Sequence, residues 1–520
     1  MTIRPMTMAT NRRSLTVLLI TIMMMIFSGC TLGPDFTRPA APKTDRYTDS
    51  KPSGYATKFL VPGKELPGLW WTLYRSKPLT ALIARAIQRS PDLQSAQATL
   101  VQAQETATAK KGSLFPALDV NATDTRQQIS GAQYGNPNGG GSIFSIYNAS
   151  VDVSYSLDAF GAIRRQIESL SAQAEYQKFQ LEGAFLTLAA NIVTTAIQEA
   201  SLRAQQTATE DIIDAQMQQL EAIKQQFELG GASKAAVLAQ QSTLEQTRTT
   251  LPPLQLSVAQ AHHQLTVLAG DLPSADPAAQ FNLADLHLPD KLPLSLPSKL
   301  VEQRPDIRAQ EAVLHASSAQ IGVVIASVFP DFTISGNVGS IATQAGQLFI
   351  PGSEVWSLTA SLMQPLFHGG DFTHKRNAAV ASYQQAAAQY RSTVLKAFQE
   401  VADTLSALEF DAAALKTQDA AEQAARESLA LTREQFSIGA ISYVSLLTAE
   451  RDYQQARIGQ IKAQAARLAD TAALFQALGG GWWQRGDLST AILAGQKDRQ
   501  KPCGFIDCLL KPLPTAQPDN

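Results

Sequence analysis

Apolar and polar residues alternate in four stretches of this chain. Leu118, Val120 and Ala122 alternate with Asp119, Asn121 and Thr123. After a loop rich in Gly, Asn and Pro, Tyr147, Ala149, Val151, Val153, Tyr155 and Leu157 fall on one side, and Asn148, Ser150, Asp152, Ser154 and Ser156 on the other. The plan recurs with Phe332, Ile334 and Val338 against Thr333, Ser335 and Asn337, then Trp356, Leu358, Ala360 and Leu362 against Ser357, Thr359 and Ser361. A period of two is that of a strand with one apolar and one wet face, so β-hairpins are predicted at 117–158 and 331–367. Each is followed by a run without breakers: 162–229 holds no proline and one glycine, Gly183, and 371–438 holds neither. Both runs predict uninterrupted helices of about 68 residues, hence about 100 Å long at 1.5 Å per residue. Such lengths imply coiled-coil-like or barrel packing. Returning helices are expected at 232–269 and 442–478, with Pro252 and Pro253 kinking the first.

The parallel between the two stretches is an internal duplication. FELGGAS (227–233) matches FSIGAIS (436–442) at an offset of 209, and Leu265 and Gly270 fall on Leu474 and Gly479 at the same offset. Upstream, SPDL (90–93) pairs with RPDI (304–307), and SLFP (113–116) with SVFP (327–330), both at 214. A period above 200 residues is too long for a solenoid, so each copy is a multi-element half of one architecture. Gly230 and Gly439 stand where a left-handed residue ends a helix, which makes the two matched motifs helix-hairpin tips.

Composition adds a destination. Arg4, Arg12 and Arg13, the apolar run Leu15–Phe27, and Ser28-Gly29 before Cys30 read as a signal peptide, its core too short to span a bilayer. Small residues directly before a cysteine resemble a lipobox, which makes Cys30 the lipid-bearing first residue; an ordinary signal peptide that happens to hold a cysteine is the competing reading. By the rule known for lipoproteins of this kind, Thr31 rather than Asp after the cysteine would favour the outer membrane. Without the signal, 40 basic residues face 45 acidic ones, and nothing points to nucleic acid. Cys503 and Cys508 are close enough for a possible disulfide in an oxidising compartment, or are free thiols in a tail. The phosphate-binding Gly-Lys-Ser/Thr loop, the GxSxG elbow and HExxH are all missing from the sequence, and the six histidines are scattered. No catalytic, metal or cofactor site is therefore predicted.

Four strands cannot close a barrel, and unpaired edges cannot be left in lipid. Either several chains share one barrel whose wet face is the lumen, or the sheet is soluble and packs on helices. Here a resemblance becomes specific. CTLGPDFTRP, WWTLYRSKPLTALIARAIQRSPDL, the two FP breaks, LDAFG and PLFHGG at the strand-to-helix joins, RPDIRAQEA and the two tip motifs resemble the TolC-like outer-membrane efflux family, in its lipoprotein (NodT-like or OprM-like) branch. The resemblance covers nearly all of 30–480. It implies an α+β membrane protein: a homotrimer forming a 12-stranded β-barrel continued by an α-helical periplasmic barrel. It divides the chain into a signal peptide (1–29), an N-terminal linker and equatorial segment (30–78), a first repeat (79–270), an equatorial connector (271–299), a second repeat (300–479) and a C-terminal equatorial tail (480–520).

The implied function is the outer-membrane channel of a tripartite efflux system, exporting small toxic compounds. Its implied partners are a periplasmic adaptor (membrane fusion) protein, an inner-membrane pump taken to be of the RND type, and outer-membrane lipid. Protein secretion through the same architecture, or a tethering lipoprotein with a coiled-coil spacer, are the alternatives. The resemblance carries an aperture onto Tyr443, Leu447, Thr448 and Arg451, with helix packing as the competing role for the same residues. Thr448 stands where many relatives carry an acid. It carries adaptor contact onto Phe227, Gly230, Gly231, Ser233, Phe436, Gly439 and Ser442. After signal removal only Met217 and Met363 remain, and soft copper(I) or silver(I) sites favour clustered thioethers, which disfavours a dedicated copper conduit.

Overall fold

The computed structural model describes residues 31–48, 59–130, 132, 135, 141–275, 280–289 and 291–485. Cys30, Cys503 and Cys508 lie outside the described residues. In chain order the elements are β1 (Leu60–Pro62), a 3-10 turn at Trp70–Tyr74, α1 (Lys77–Arg89), α2 (Pro91–Gly112), β2 (Ala117–Ile129), β3 (Ser142–Leu157), α3 (Ala162–Glu228) and α4 (Lys234–Leu268). The second half holds β4 (Leu292–Leu294), α5 (Pro297–Gln303), α6 (Pro305–Ala326), β5 (Asp331–Ala342), β6 (Glu354–Met363), α7 (Asp371–Ser437) and α8 (Tyr443–Ala477). The two long helices, α3 and α7, have 67 residues each. Pro252 and Pro253 lie inside α4, which continues through them as α-helix.

β2, β3, β5 and β6 form one antiparallel sheet in that order. The register aligns the alternation across all four strands. Val120 pairs with Val151, Val151 with Val338, and Val338 with Trp356; one step along, Asp119 pairs with Asp152, Asp152 with Asn337, and Asn337 with Ser357. One face is therefore apolar in rows and the other polar in rows, as the period of two requires. Among the described residues β2 and β6 are the outer strands, each with one edge unpaired. β1 and β4 make a separate two-stranded parallel pair.

The contacts divide into two units, and the dividing points repeat the duplication. Among the described residues the first unit contains 31–41, Pro91–Ala184 and Pro305–Ala397, and the second those within 42–90, Phe185–Arg304 and 398–485. In each copy the chain changes unit at the Ser/Arg-Pro-Asp motif and again within the long helix.

In the first unit the strand-to-helix join is fixed by Asp158. Its carboxylate accepts hydrogen bonds from the backbone N–H groups of Ile163 and Arg164, at 2.9 and 3.0 Å, at the start of α3. An anion there satisfies orphan donors and meets the positive end of the helix dipole, which explains the LDAFG motif. The stretch after Cys30 is held against the same unit. The buried Arg165 donates to the carbonyls of Leu32 and Gly33 and to Asp35, Phe36 stacks on His315 at 4.5 Å, and Arg38 pairs with Glu311.

In the second unit the aromatic motif after the linker is the core. Trp70, Trp71 and Tyr74 are buried, Trp70 lies 5.6 Å from Phe475, and the Tyr74 hydroxyl donates to the carbonyl of Leu468 at 2.9 Å. The apolar middle of α3, Ala189 to Ala200, belongs to this core: Ile192, Val193, Ala196 and Ile197 are buried. Arg304 of the RPDI motif donates to the carbonyl of Ala477 at the end of α8 and pairs with Glu400 at 2.7 Å. The duplication holds at the level of single contacts. Gly270 (φ +83°) ends α4 with its Cα against the backbone of Arg89, and Gly479 (φ +91°) ends α8 against the backbone of Gln303; at either, a Cβ would stand within 3 Å of the facing carbonyl oxygen.

Candidate functional site

The site is built at the two helix-hairpin tips. At the first, Gly231 N–H reaches the carbonyl of Gln226 (2.7 Å) and Gly230 N–H that of Phe227 (3.0 Å). At the second, Ala440 N–H reaches Gln435 (2.9 Å) and Gly439 N–H reaches Phe436 (3.0 Å). This pair of bonds, six-to-one and five-to-two, is the Schellman closure, which demands a left-handed residue. Gly230 and Gly439 supply it at φ +78° and +73°. Each following helix is then capped by a serine hydroxyl: Ser233 accepts from Ala236 N–H and Ser442 from Ser445 N–H. The repeated F-x-x-G-x-x-S spacing is thus the chemistry of stopping one helix and starting the next within six residues.

The closure pushes apolar side chains outward. Leu229 and Ile438, each directly before its turn glycine, are 88% and 76% exposed. Phe227 is also exposed, whereas Phe436 is half-buried and lies 5.8 Å from the Tyr443 ring. Leu229 and Ile438 escaped the sequence reading, although an apolar residue in the last position before a helix-ending glycine was a usable signal.

Behind the tips, Ile213, Leu220 and Leu244 form a small buried cluster with Val237 and Leu251 packed on it. The four residues carried over for the aperture divide in two. The Tyr443 hydroxyl donates to the side-chain oxygen of Gln240 on α4, and the amide of the fully buried Gln240 donates to the backbone carbonyl of Gln216 on α3 at 3.2 Å. Tyr443 therefore ties the second copy's return helix to both helices of the first copy's hairpin, and burial, then the Glu450 carboxylate, raises its pKa. Leu447 is half-buried, while Thr448 and Arg451 are exposed; the Thr448 hydroxyl donates to the carbonyl of Val444.

One turn beyond Leu446, the buried Glu450 pairs with Arg433 of α7 at 3.6 Å, too long for a hydrogen bond. Burial raises its pKa against the pull of Arg433. Farther along α8, Asp470 is pushed up to about 7, first by burial and then by the facing Asp411 carboxyl. Two of the scattered histidines serve packing: His262 meets the buried Glu199 at 3.2 Å, and His315 meets Glu168 at 2.9 Å. Gln240, Gln216, Glu450 and the histidine partners were invisible in the sequence, because each depends on which faces of long, weakly amphipathic helices meet.

With this geometry in place, comparisons with known proteins are informative. The profile of the outer membrane efflux protein family matches residues 82–271 and 296–480. The toluene efflux pump outer membrane protein TtgC of Pseudomonas putida is 28% identical over 475 residues, covering 90% of this chain and 96% of that one. The cation efflux system protein CusC of Escherichia coli is 26% identical over 466 residues, covering 88% and 97%. The solved outer-membrane channel OprN superposes with a TM-score of 0.79 at 27% identity, covering 87% of this chain and all of that one.

Proposed function

This chain belongs to the outer membrane efflux protein family, and from that premise we propose that it is the channel through which a tripartite efflux system discharges small toxic compounds across the outer membrane. The observation that carries the reading is the sheet. Leu118, Val120, Val338, Trp356, Leu358 and Leu362 lie on its apolar face and are between 59% and 82% exposed, Val120 the most. A contiguous apolar face of this kind marks a surface that something covers. A lipid-facing band with a polar lumen behind it has this pattern, and two unpaired edges are acceptable in lipid only if other strands close them. Three copies close twelve strands into one barrel, and the long helices continue the tunnel into the periplasm. Lipid on Cys30 anchors the chain beside it.

The tips perform the second half of the task. Leu229, Ile438 and Phe227, with the turns at Gly230, Gly231, Gly439, Ser233 and Ser442, present an apolar surface to a periplasmic adaptor, which links the channel to an inner-membrane pump of the RND type. Leu447, Thr448 and Arg451 narrow the aperture. Tyr443 is the latch whose bond to Gln240 holds the second hairpin closed, and adaptor binding releases it by a shift between two packings. The domain scheme of two repeats joined by equatorial segments at 30–78, 271–299 and 480–520 is part of this proposal. Met217 and Met363 fall in different units, which supports cargo other than soft metal ions.

The test is negative-stain electron microscopy of the mature protein in mild detergent. A threefold particle carrying a detergent belt supports the channel. A monomer, or a rod without a belt, removes the barrel and with it the proposed path across the membrane.

A further inference from the structure

Beyond the tips, α3, α4 and α8 of the second unit line a cavity of about 820 Å³ that is broadly open to solvent. Its charged lining is of one sign. Arg451 and Lys462 are there, both exposed, and no acidic side chain lines it. Among the described residues no ion pair engages either cation.

Their spacing is instructive. Eleven residues along an α-helix is close to three full turns, so the two cations share one face of α8, about 16 Å apart. Gln455 and Ile458 fall between them on the same stripe, and Pro253 and Leu254 of α4 give the facing apolar wall. A wall with a cation at each end, an amide and an aliphatic patch between them, and no competing carboxylate is complementary to an elongated, partly apolar anion.

We propose that this cavity is a binding station for organic anions bearing carboxylate, sulfonate or phosphate groups on an apolar body, with Arg451 and Lys462 each meeting one anionic end. The assignment rests on the channel reading, since a solute reaches the station through the tunnel. It gives that reading a substrate class: anions are retained here, and cations of the same shape pass without binding.

The probe is 4,4′-biphenyldisulfonate, an elongated aromatic dianion. It is titrated by equilibrium dialysis into the purified full chain in neutral detergent at low salt, with R451Q, K462Q and the double variant alongside. A full charge about 5 Å from a sulfonate in water is worth a factor of about four, so each single variant should weaken binding about fourfold and the double variant about fifteenfold. Half-molar salt should erase most of the difference. Both side chains are exposed, so circular dichroism should be unchanged.

Equal affinity in wild type and double variant overturns the site, as does wild-type binding of the matching biphenyl dication with the same affinity. Negative-stain microscopy of the same preparations reads the channel itself. Threefold particles with a detergent belt but no charge-dependent binding overturn the anion station alone, whereas protein that forms no such particle overturns the channel reading and the station with it.

Discussion

Gly479 offers a measurement in which two physical effects separate cleanly. Its φ of +91° is left-handed, and a Cβ built on it would stand 2.8 Å from the carbonyl oxygen of Gln303 and 3.3 Å from the Cα of Arg304. Gly230 is also left-handed, at φ +78°, but a Cβ there meets nothing within 4 Å. Alanine at either position incurs the left-handed penalty of about 1–2 kcal/mol. At Gly479 the backbone of the α5–α6 junction must also move, which costs about 1–3 kcal/mol more. Amide hydrogen exchange reads such local openings directly. Gly230→Ala should therefore accelerate exchange of the neighbouring amides about 5- to 30-fold, at 1.36 kcal/mol per tenfold. Gly479→Ala should accelerate the end of α8 and residues 297–304 by a further factor of about 5 to 150 on the same scale. Gly270→Ala, packed on Arg89 in the same way, should behave like Gly479→Ala, and Gly439→Ala like Gly230→Ala. If all four variants show the same acceleration, the close backbone approach contributes nothing and the proposed equivalence of the two junctions is wrong.

Two further outcomes follow from the tip and from α8. Tyr443→Phe leaves the side-chain oxygen of the buried Gln240 without this donor, a loss of about 1–3 kcal/mol; it should raise the open probability in planar bilayers, and unchanged gating with unchanged exchange in α4 would remove the latch. Asp470 titrates near 7 in the fold against 3.8 unperturbed. Because its folded pKa is raised, the α7–α8 packing there should be most stable below about pH 4 and lose stability as pH climbs to about 7. Asp470→Asn should flatten that dependence, measured as exchange protection corrected for the intrinsic rate, and a wild-type profile that is flat over this range would contradict it.

Much of the fold was legible because its signals are local. Alternation over six to eleven residues gave the four strands, and runs without proline and with at most one glycine gave the long helices. The F-x-x-G-x-x-S spacing gave both turns, since a left-handed glycine and a serine cap are decided by their own neighbours. What the residues could not reveal was anything set by the relative rotation of long helices. α3 and α7 are rich in Ala and Gln on several faces, so no single stripe announces which side meets α4 or α8. Tyr443 was legible as a tip residue, but its bond to Gln240, 203 positions away, was not. The exposure of Leu229 and Ile438 was missed for another reason: apolar residues at a helix end are usually assigned to packing, and here the turn leaves them nothing to pack on.

The seam between β3 and β5 has one more implication. It joins the first copy to the second through eleven paired positions, against ten within the second copy's own hairpin. One repeat therefore already pairs with its twin as a separate subunit would. The ring proposed for three such chains is one that six half-length ancestors could have completed, each donating one hairpin. Fusing two of them into one gene would have halved the number of association events and freed the two tips from sequence identity. The phenylalanine–tyrosine contact at one tip and its absence at the other are what descent with divergence would leave behind.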